Sequence, residues 1–173
     1  MKKHVLSACV LSLVMAVTGC PMLSPTLMVG DPAPALDVAA WVQGDPVVIA
    51  EGLGEKAFLI EFFSTTCPSC MSAVPHIQAL YEQYAGQGLV IAAISRQSAE
   101  DLAGYLEVAD PRPTYAIATD NAGATHEAYM HAAGRFSIPC VFLVDKEGDI
   151  AWIGSGYDLG LDDAVEALFT ATP

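Results

Sequence analysis

The chain alternates short apolar runs with longer amphipathic stretches, separated by clusters of Gly, Pro and polar residues. Ala57 to Phe63 is an almost unbroken apolar run rich in β-forming side chains, the pattern of a strand buried on both faces. Leu89 to Ile94 is a second such run. Between them, Pro68 to about Tyr84 reads as a helix with proline in its first turn, where the missing N–H costs nothing. Pro75 lies inside it and is expected to kink it, and Gly86-Gln87-Gly88 ends it. Ser98 can cap a helix from Ala99 to Leu106. Pro111 and Pro113 break the chain before a short strand, Tyr115 to Ala118, and Asn121 to Ala133 is mostly helical. Cys140 to Val144 and Ile150 to Ile153 predict a hairpin around Lys146-Glu147-Gly148-Asp149, and Leu161 to Phe169 a closing helix. Nearer the start, Ala35 to Ile49 offers two short strand candidates around the turn Gly44-Asp45-Pro46. No internal repeat is present. Strands alternating with helices, then a hairpin and a helix, predict an α/β domain: one mixed sheet with helices on both faces.

The amino terminus departs from this pattern. Met1-Lys2-Lys3 is basic, and Val5 to Val17 is a mostly apolar stretch of 13 residues, too short to span a bilayer comfortably and typical of a signal-peptide core. It ends in Val17-Thr18-Gly19-Cys20, which resembles the lipobox of bacterial lipoproteins, where the peptide is cut before the cysteine and the cysteine carries the lipid. An ordinary signal peptide cut nearby, or an uncleaved anchor, are the competing readings. Lipidation of Cys20 would hold the protein on a membrane, since each buried CH2 contributes ~0.8 kcal/mol. Pro21 rather than Asp after that cysteine points to the outer membrane in Gram-negative sorting. The chain then divides into a signal peptide (1–19), a proline-bearing tether (20–34) and one domain (35–173) on the extracytoplasmic or periplasmic side.

Charge narrows the partners. The whole chain carries -13, and two of its seven basic residues lie in the signal segment, leaving five against 20 acids. Such acidity argues against nucleic acid and against electrostatic docking on anionic lipid. Cys9 leaves with the signal and Cys20 is taken by lipid, so the exported domain has three thiols, Cys67, Cys70 and Cys140.

Two of these form Cys67-Pro68-Ser69-Cys70 at the predicted strand-to-helix junction. A thiol at a helix N-terminus sees the positive end of the helix dipole, which favours the reactive thiolate, and a second thiol one turn on can resolve a mixed disulfide. Zinc sites also use this spacing, but no second Cys-x-x-Cys or His-x-x-x-His completes a ligand set. Glu61 interrupts the apolar strand six residues before Cys67. Burial there would raise its pKa towards neutrality, as suits a general base; a strand register that turned it to a wet edge or an ion pair would not. His76, His126 and His131 read as helix-surface residues.

The order of elements, the strand–Cys-x-x-Cys–helix unit and Ser137-Ile138-Pro139 before a strand resemble the thioredoxin fold, and more closely the TlpA-like and ResA-like redoxins. Gly30-Asp31-Pro32-Ala33-Pro34, Val74-Pro75-His76, Phe142 to Gly148 and Ala151-Trp152-Ile153-Gly154 carry the closer likeness. Trp41, Gly44 and Pro46 to Val48 resemble that branch's N-terminal β-hairpin extension. The resemblance implies a thiol–disulfide oxidoreductase outside the cytoplasmic membrane, whose only redox centre is the Cys67–Cys70 disulfide. It implies that Cys67 attacks and Cys70 resolves, that Pro68 and Ser69 tune the couple, and that Glu61 stands where thioredoxins have a buried acid. Pro139 matches the family's cis-proline, and Ile138 would pair by backbone with the substrate. Partners would be protein disulfides and a membrane electron donor of the DsbD or CcdA type.

Three departures qualify the match. Thr66 stands where the family has an aromatic residue, Ala73 where many ResA-like proteins have an acid, and Cys140 where Thr is usual. Cys140 is either a small buried residue or a third thiol near the pair. The latter opens an alternative function, a Cu(I) site of Cys67, Cys70 and Cys140. A peroxidase is disfavoured because Ile60 and Ser64 occupy the Pro and Thr places of the peroxiredoxin motif.

Overall fold

The computed structural model describes residues 26–170. The signal peptide, Cys20 and the first part of the tether lie outside the described residues. Six strands form one sheet: β1 (Val38–Gln43), β2 (Ala57–Phe62), β3 (Leu89–Ser95), β4 (Ala116–Asp120), β5 (Cys140–Val144) and β6 (Ile150–Gly154), in the order β1-β4-β3-β2-β5-β6. The central strands β2, β3 and β4 are parallel, and β1, β5 and β6 run antiparallel to their neighbours. The buried apolar runs read from the sequence are these central strands, covered on both faces. Alternate residues of β2 divide between two cores. Leu59 joins Phe63 with Cys70, Ile77 and Leu80 of α1 (Pro68–Tyr84), Leu102 and Leu106 of α2 (Ala99–Val108), and Leu161 and Val165 of α4 (Gly160–Thr170). Phe58, Ile60 and Phe62 face Tyr129 and Met130 on the other side. Those two residues belong to the π-helical stretch Glu127–His131 that continues α3 (Ala124–His126).

Local signals set the helix ends. α1 begins at Pro68 and continues past Pro75 to Tyr84. α2 carries a capping box: the Asp101 amide donates to Ser98 Oγ at 3.1 Å while the Ser98 amide donates to Asp101 Oδ2 at 3.3 Å. α3 lacks a capping residue before it. Instead the Asp120 carboxylate at the end of β4 accepts the amides of Thr125 at 2.9 Å and His126 at 3.1 Å, satisfying donors that the first turn leaves free.

Two expectations are corrected. The N-terminal extension is not a β-hairpin: β1 pairs with β4, whereas Val47 and Val48 form no strand and lead into a 3-10 turn at Ile49–Glu51. Pro46 has no N–H for a ladder, and Val47 and Ile49 are buried by packing into the core instead. The second correction concerns the tether, whose residues 26–34 are part of the folded body. Leu27 is buried, the Gly30 amide donates to Ile150 O and the Ile150 amide to Asp31 O, both at 2.8 Å, and the Ala33 amide donates to Gly148 O at 2.9 Å.

Candidate redox site

The C-terminal ends of β2, β3 and β4 open at one edge of the sheet, where β5 begins, and α/β proteins gather their chemistry at such an edge. Cys67 caps α1 there and is disulfide-bonded to Cys70, with the two Cα atoms 5.2 Å apart. Cys67 is half-buried and Cys70 fully buried, so only the first sulfur is open to a partner. Cys67 Sγ accepts the Cys70 amide at 3.2 Å and lies 3.1 Å from Ser69 Oγ. Both contacts, with the helix dipole behind them, favour a thiolate at this sulfur once the disulfide is reduced. Pro68 and Ser69 are exposed between the cysteines. The Ile138 carbonyl oxygen lies 3.9 Å from Cys67 Sγ, and the Ile138–Pro139 bond is cis. The segment picked out in the sequence therefore does lie beside the pair.

Glu61 sits inside the sheet between Ala93 of β3 and Val141 of β5. Flanked at alternate positions by Leu59 and Phe63, it faces the same core as Cys70. It is 1% exposed, and neither carboxyl oxygen has a hydrogen-bond partner among the described residues. Burial alone pushes its pKa up to about 8. Two tyrosines are raised as well, first by burial and then by the Glu61 charge: Tyr105 on α2, and Tyr115 just before β4.

Cys140 is elsewhere. It pairs with Phe62 across the β2–β5 ladder and packs with Phe62, Tyr129 and Phe142 in the opposite core from Cys70. Strand alternation fixes this: Val141 turns towards the α1 side, so Cys140 turns away. Burial pushes its thiol up to about 11, against the opposing effect of Arg135. Among the described residues no group of three His, Cys, Asp or Glu is placed to hold a metal ion. The geometry thus does not assemble the trigonal Cu(I) site of Cys67, Cys70 and Cys140.

Of the three histidines among the described residues, His131 is exposed, but the other two are tied into the fold. His76 bonds the Gly156 carbonyl through Nδ1 at 2.9 Å and Asp162 through Nε2 at 3.0 Å. His126 is half-buried, with Nδ1 2.6 Å from Asp120 Oδ2 and its ring edge-on to Phe62. Burial lowers its pKa despite that carboxylate.

The sequence reading missed Gln97. From the end of β3 its side chain reaches the loop before Cys67: Oε1 accepts the Thr65 amide at 2.7 Å and Ser64 Oγ–H at 3.1 Å, while Nε2 donates to Thr65 Oγ1 at 2.7 Å. A polar run, Ser95-Arg96-Gln97-Ser98, directly after a buried parallel strand was the available signal.

A central mixed sheet, a Cys-x-x-Cys helix cap and the Ile138-Pro139 loop against it define a thioredoxin-fold redoxin. The chain belongs to the AhpC/TSA family, whose model matches residues 29–153. It is 27% identical over 140 residues to protein FixW of Rhizobium leguminosarum, a match taking in 76% of this chain and 62% of FixW. It is 28% identical over 115 residues to the thiol-disulfide oxidoreductase ResA of Halalkalibacterium halodurans, over 66% of this chain and 62% of ResA. The match thus spans less than two thirds of either relative. Among solved structures, a thioredoxin-like protein in the oxidised form superposes with a TM-score of 0.67 at 28% identity, covering 83% of this chain and 97% of the other. These findings bear out the fold and the TlpA/ResA-like resemblance. No helix among the described residues is long and apolar enough to cross a membrane.

Proposed function

We propose that this protein is a thiol–disulfide oxidoreductase that reduces or exchanges protein disulfides outside the cytoplasmic membrane. The observation that carries the proposal is the asymmetry of the pair. Cys67 is accessible at a helix N-terminus, and Cys70 is buried in the core that holds the unpartnered Glu61. In the reduced protein the Cys67 thiolate attacks a substrate disulfide, forming a mixed disulfide and releasing one substrate thiolate. Glu61 takes the proton of Cys70, whose thiolate then attacks Cys67 Sγ. The second substrate sulfur leaves as the Cys67–Cys70 disulfide closes, so two electrons pass to the substrate. Ile138 supplies a backbone edge against which an extended substrate segment lies, with Pro68 and Ser69 beneath it. A membrane electron donor of the DsbD or CcdA type returns the pair to its reduced form.

Lipid on Cys20 is part of this proposal. It rests on the Val17-Thr18-Gly19-Cys20 sequence. Six residue steps separate Cys20 from Thr26, the first described residue, and six steps of chain reach at most about 20 Å. The domain would therefore work close to the bilayer surface.

One preparation tests both parts. Cys70→Ser protein is isolated from the membrane fraction and its intact mass measured before and after reduction. The expected result is an acylated terminus at Cys20 and substrate proteins held by Cys67 until reductant is added. Trapping by Cys67→Ser instead would reverse the two roles, and an unmodified terminus at another residue would remove the lipid anchor.

A further inference from the structure

We infer that Gln97 is a positioning residue that sets the reactivity of Cys67 from the neighbouring strand. The inference rests on the redox reading above and concerns the same site. The connection from β2 to α1 runs over residues 63–67; Phe63 anchors its start in the α1-side core, whereas Ser64, Thr65 and Thr66 beyond it are polar. The position of these three rests on hydrogen bonds, and Gln97 supplies the side-chain ones that come from outside them. The side-chain amide grips Thr65 twice, accepting its N–H and donating to its hydroxyl, and accepts Ser64 Oγ–H as well. An amide can accept and donate from one planar head, whereas a lysine ammonium only donates and an ionised carboxylate only accepts.

Gln97 is itself held on both sides. Its backbone N–H donates to Ser95 Oγ at 3.2 Å, and its backbone carbonyl accepts from Thr119 Oγ1 at 2.5 Å. It is therefore fastened to the ends of β3 and β4 before it reaches for the loop.

The loop passes that placement on to the nucleophile. The Cys67 amide donates to Ser64 O at 3.1 Å, closing a turn, and Ser64 Oγ accepts the Thr66 amide at 3.3 Å. Gln97 thus fixes Ser64 and Thr65, the turn fixes Cys67, and Cys67 Sγ meets the Cys70 amide at 3.2 Å. Slackening the first link lets Sγ drift from the amide and the dipole that stabilise its thiolate.

Gln97→Leu removes every side-chain bond while keeping a similar volume, and Thr65→Val removes only the hydroxyl limb. Two readouts are taken on the reduced, full-length proteins. The first is the titration of the Cys67 thiolate by its ultraviolet absorbance, and the second is the rate of reaction with a small aromatic disulfide across pH. The expected result is a thiolate titration moved to higher pH in Gln97→Leu. Its rate at neutral pH should fall about tenfold and recover at a pH above the new titration. Thr65→Val should lie between it and the parent. A merely structural role would lower the melting temperature and leave the titration in place. A folded Gln97→Leu with the parent titration and rate overturns the proposal; if that variant does not fold, an unshifted Thr65→Val does so. Loss of disulfide reactivity in the parent would instead refute the redox reading, while the titration still decides the role of Gln97.

Discussion

Glu61 shows how much one side chain can cost when no described residue offers it a hydrogen bond. Its pKa stands at about 8 in the folded chain against an ordinary 4.5, so the native state holds a proton that the unfolded chain has lost. Stability therefore falls as pH rises from 4.5 towards 8, by about 1.4 kcal/mol per unit, and is flat beyond that window. Glu61→Gln should abolish this slope and be the more stable form at pH 8, by several kcal/mol on an order-of-magnitude reckoning. Urea unfolding at both ends of the window measures it. The same variant should slow turnover and lose the limb of the pH–rate profile near 8, and an unchanged profile would take Glu61 out of the mechanism. Cys140 is the opposite case, a thiol made inert by its surroundings, with its pKa pushed up to about 11. Brief alkylation of the reduced native protein should mark Cys67 and spare Cys140 until denaturation, as peptide mapping would read. Cys140→Thr should keep reductase activity within a few-fold and leave Cu(I) competition unaltered. A large loss of Cu(I) affinity would restore the copper reading.

At the scale of elements, the site is held by ties between segments far apart in the chain. Gln97 joins β3 to the loop before α1. His76 joins α1 to α4 and to the turn that precedes it, since Asp162 is on α4 and Gly156 lies between β6 and that helix. Both ring nitrogens of His76 face acceptors, so the doubly protonated ring suits the site best. Burial opposes that charge, but the Asp162 hydrogen bond, the Gly156 carbonyl and the Asp162 charge outweigh it and raise the pKa above the ordinary 6.5. A raised histidine contributes stability that is full below 6.5 and is lost as pH climbs through the folded value. The melting temperature of the parent should exceed that of Asp162→Asn at acidic pH, and the gap should narrow as pH rises through that range. Added salt should shrink it further, because the pair is largely open to solvent. A gap independent of pH would mean that His76 is neutral in the native state.

For the whole molecule, the segment 26–34 changes where the domain begins. It lays Leu27 into the core beside Tyr129 and Met130 and adds backbone bonds to the edge at Gly148 and Ile150. A chain begun at Ala35 should be less stable than one begun at Thr26 by about 2 kcal/mol, the worth of one buried leucine. Denaturant midpoints of the two would show it, and equal midpoints would return the segment to the status of a passive tether.

The sequence by itself determined the features whose causes are local. The β2–Cys67-Pro68-Ser69-Cys70–α1 unit was legible because a buried strand, a capping thiol and a first-turn proline each act within a few residues. The Ser98 cap, the β5–β6 hairpin and the apolar company of Glu61 were legible on the same ground. What only the tertiary structure decided depends on which distant segments meet. Val47 and Val48 have strand-like composition, but β4 took the pairing that a hairpin would have used. Residues 26–34 look like a linker by their prolines until the β5–β6 edge supplies acceptors for their amides. Cys140 lies next to the cis-proline in the chain, yet a single step of strand alternation turns its thiol into the opposite core from Cys70. Gln97 lies 30 residues after Cys67, and only the parallel pairing of β2 with β3 brings their loops together. Local propensity acts through neighbouring backbone; register, sheet face and cross-loop hydrogen bonds are properties of the packed whole.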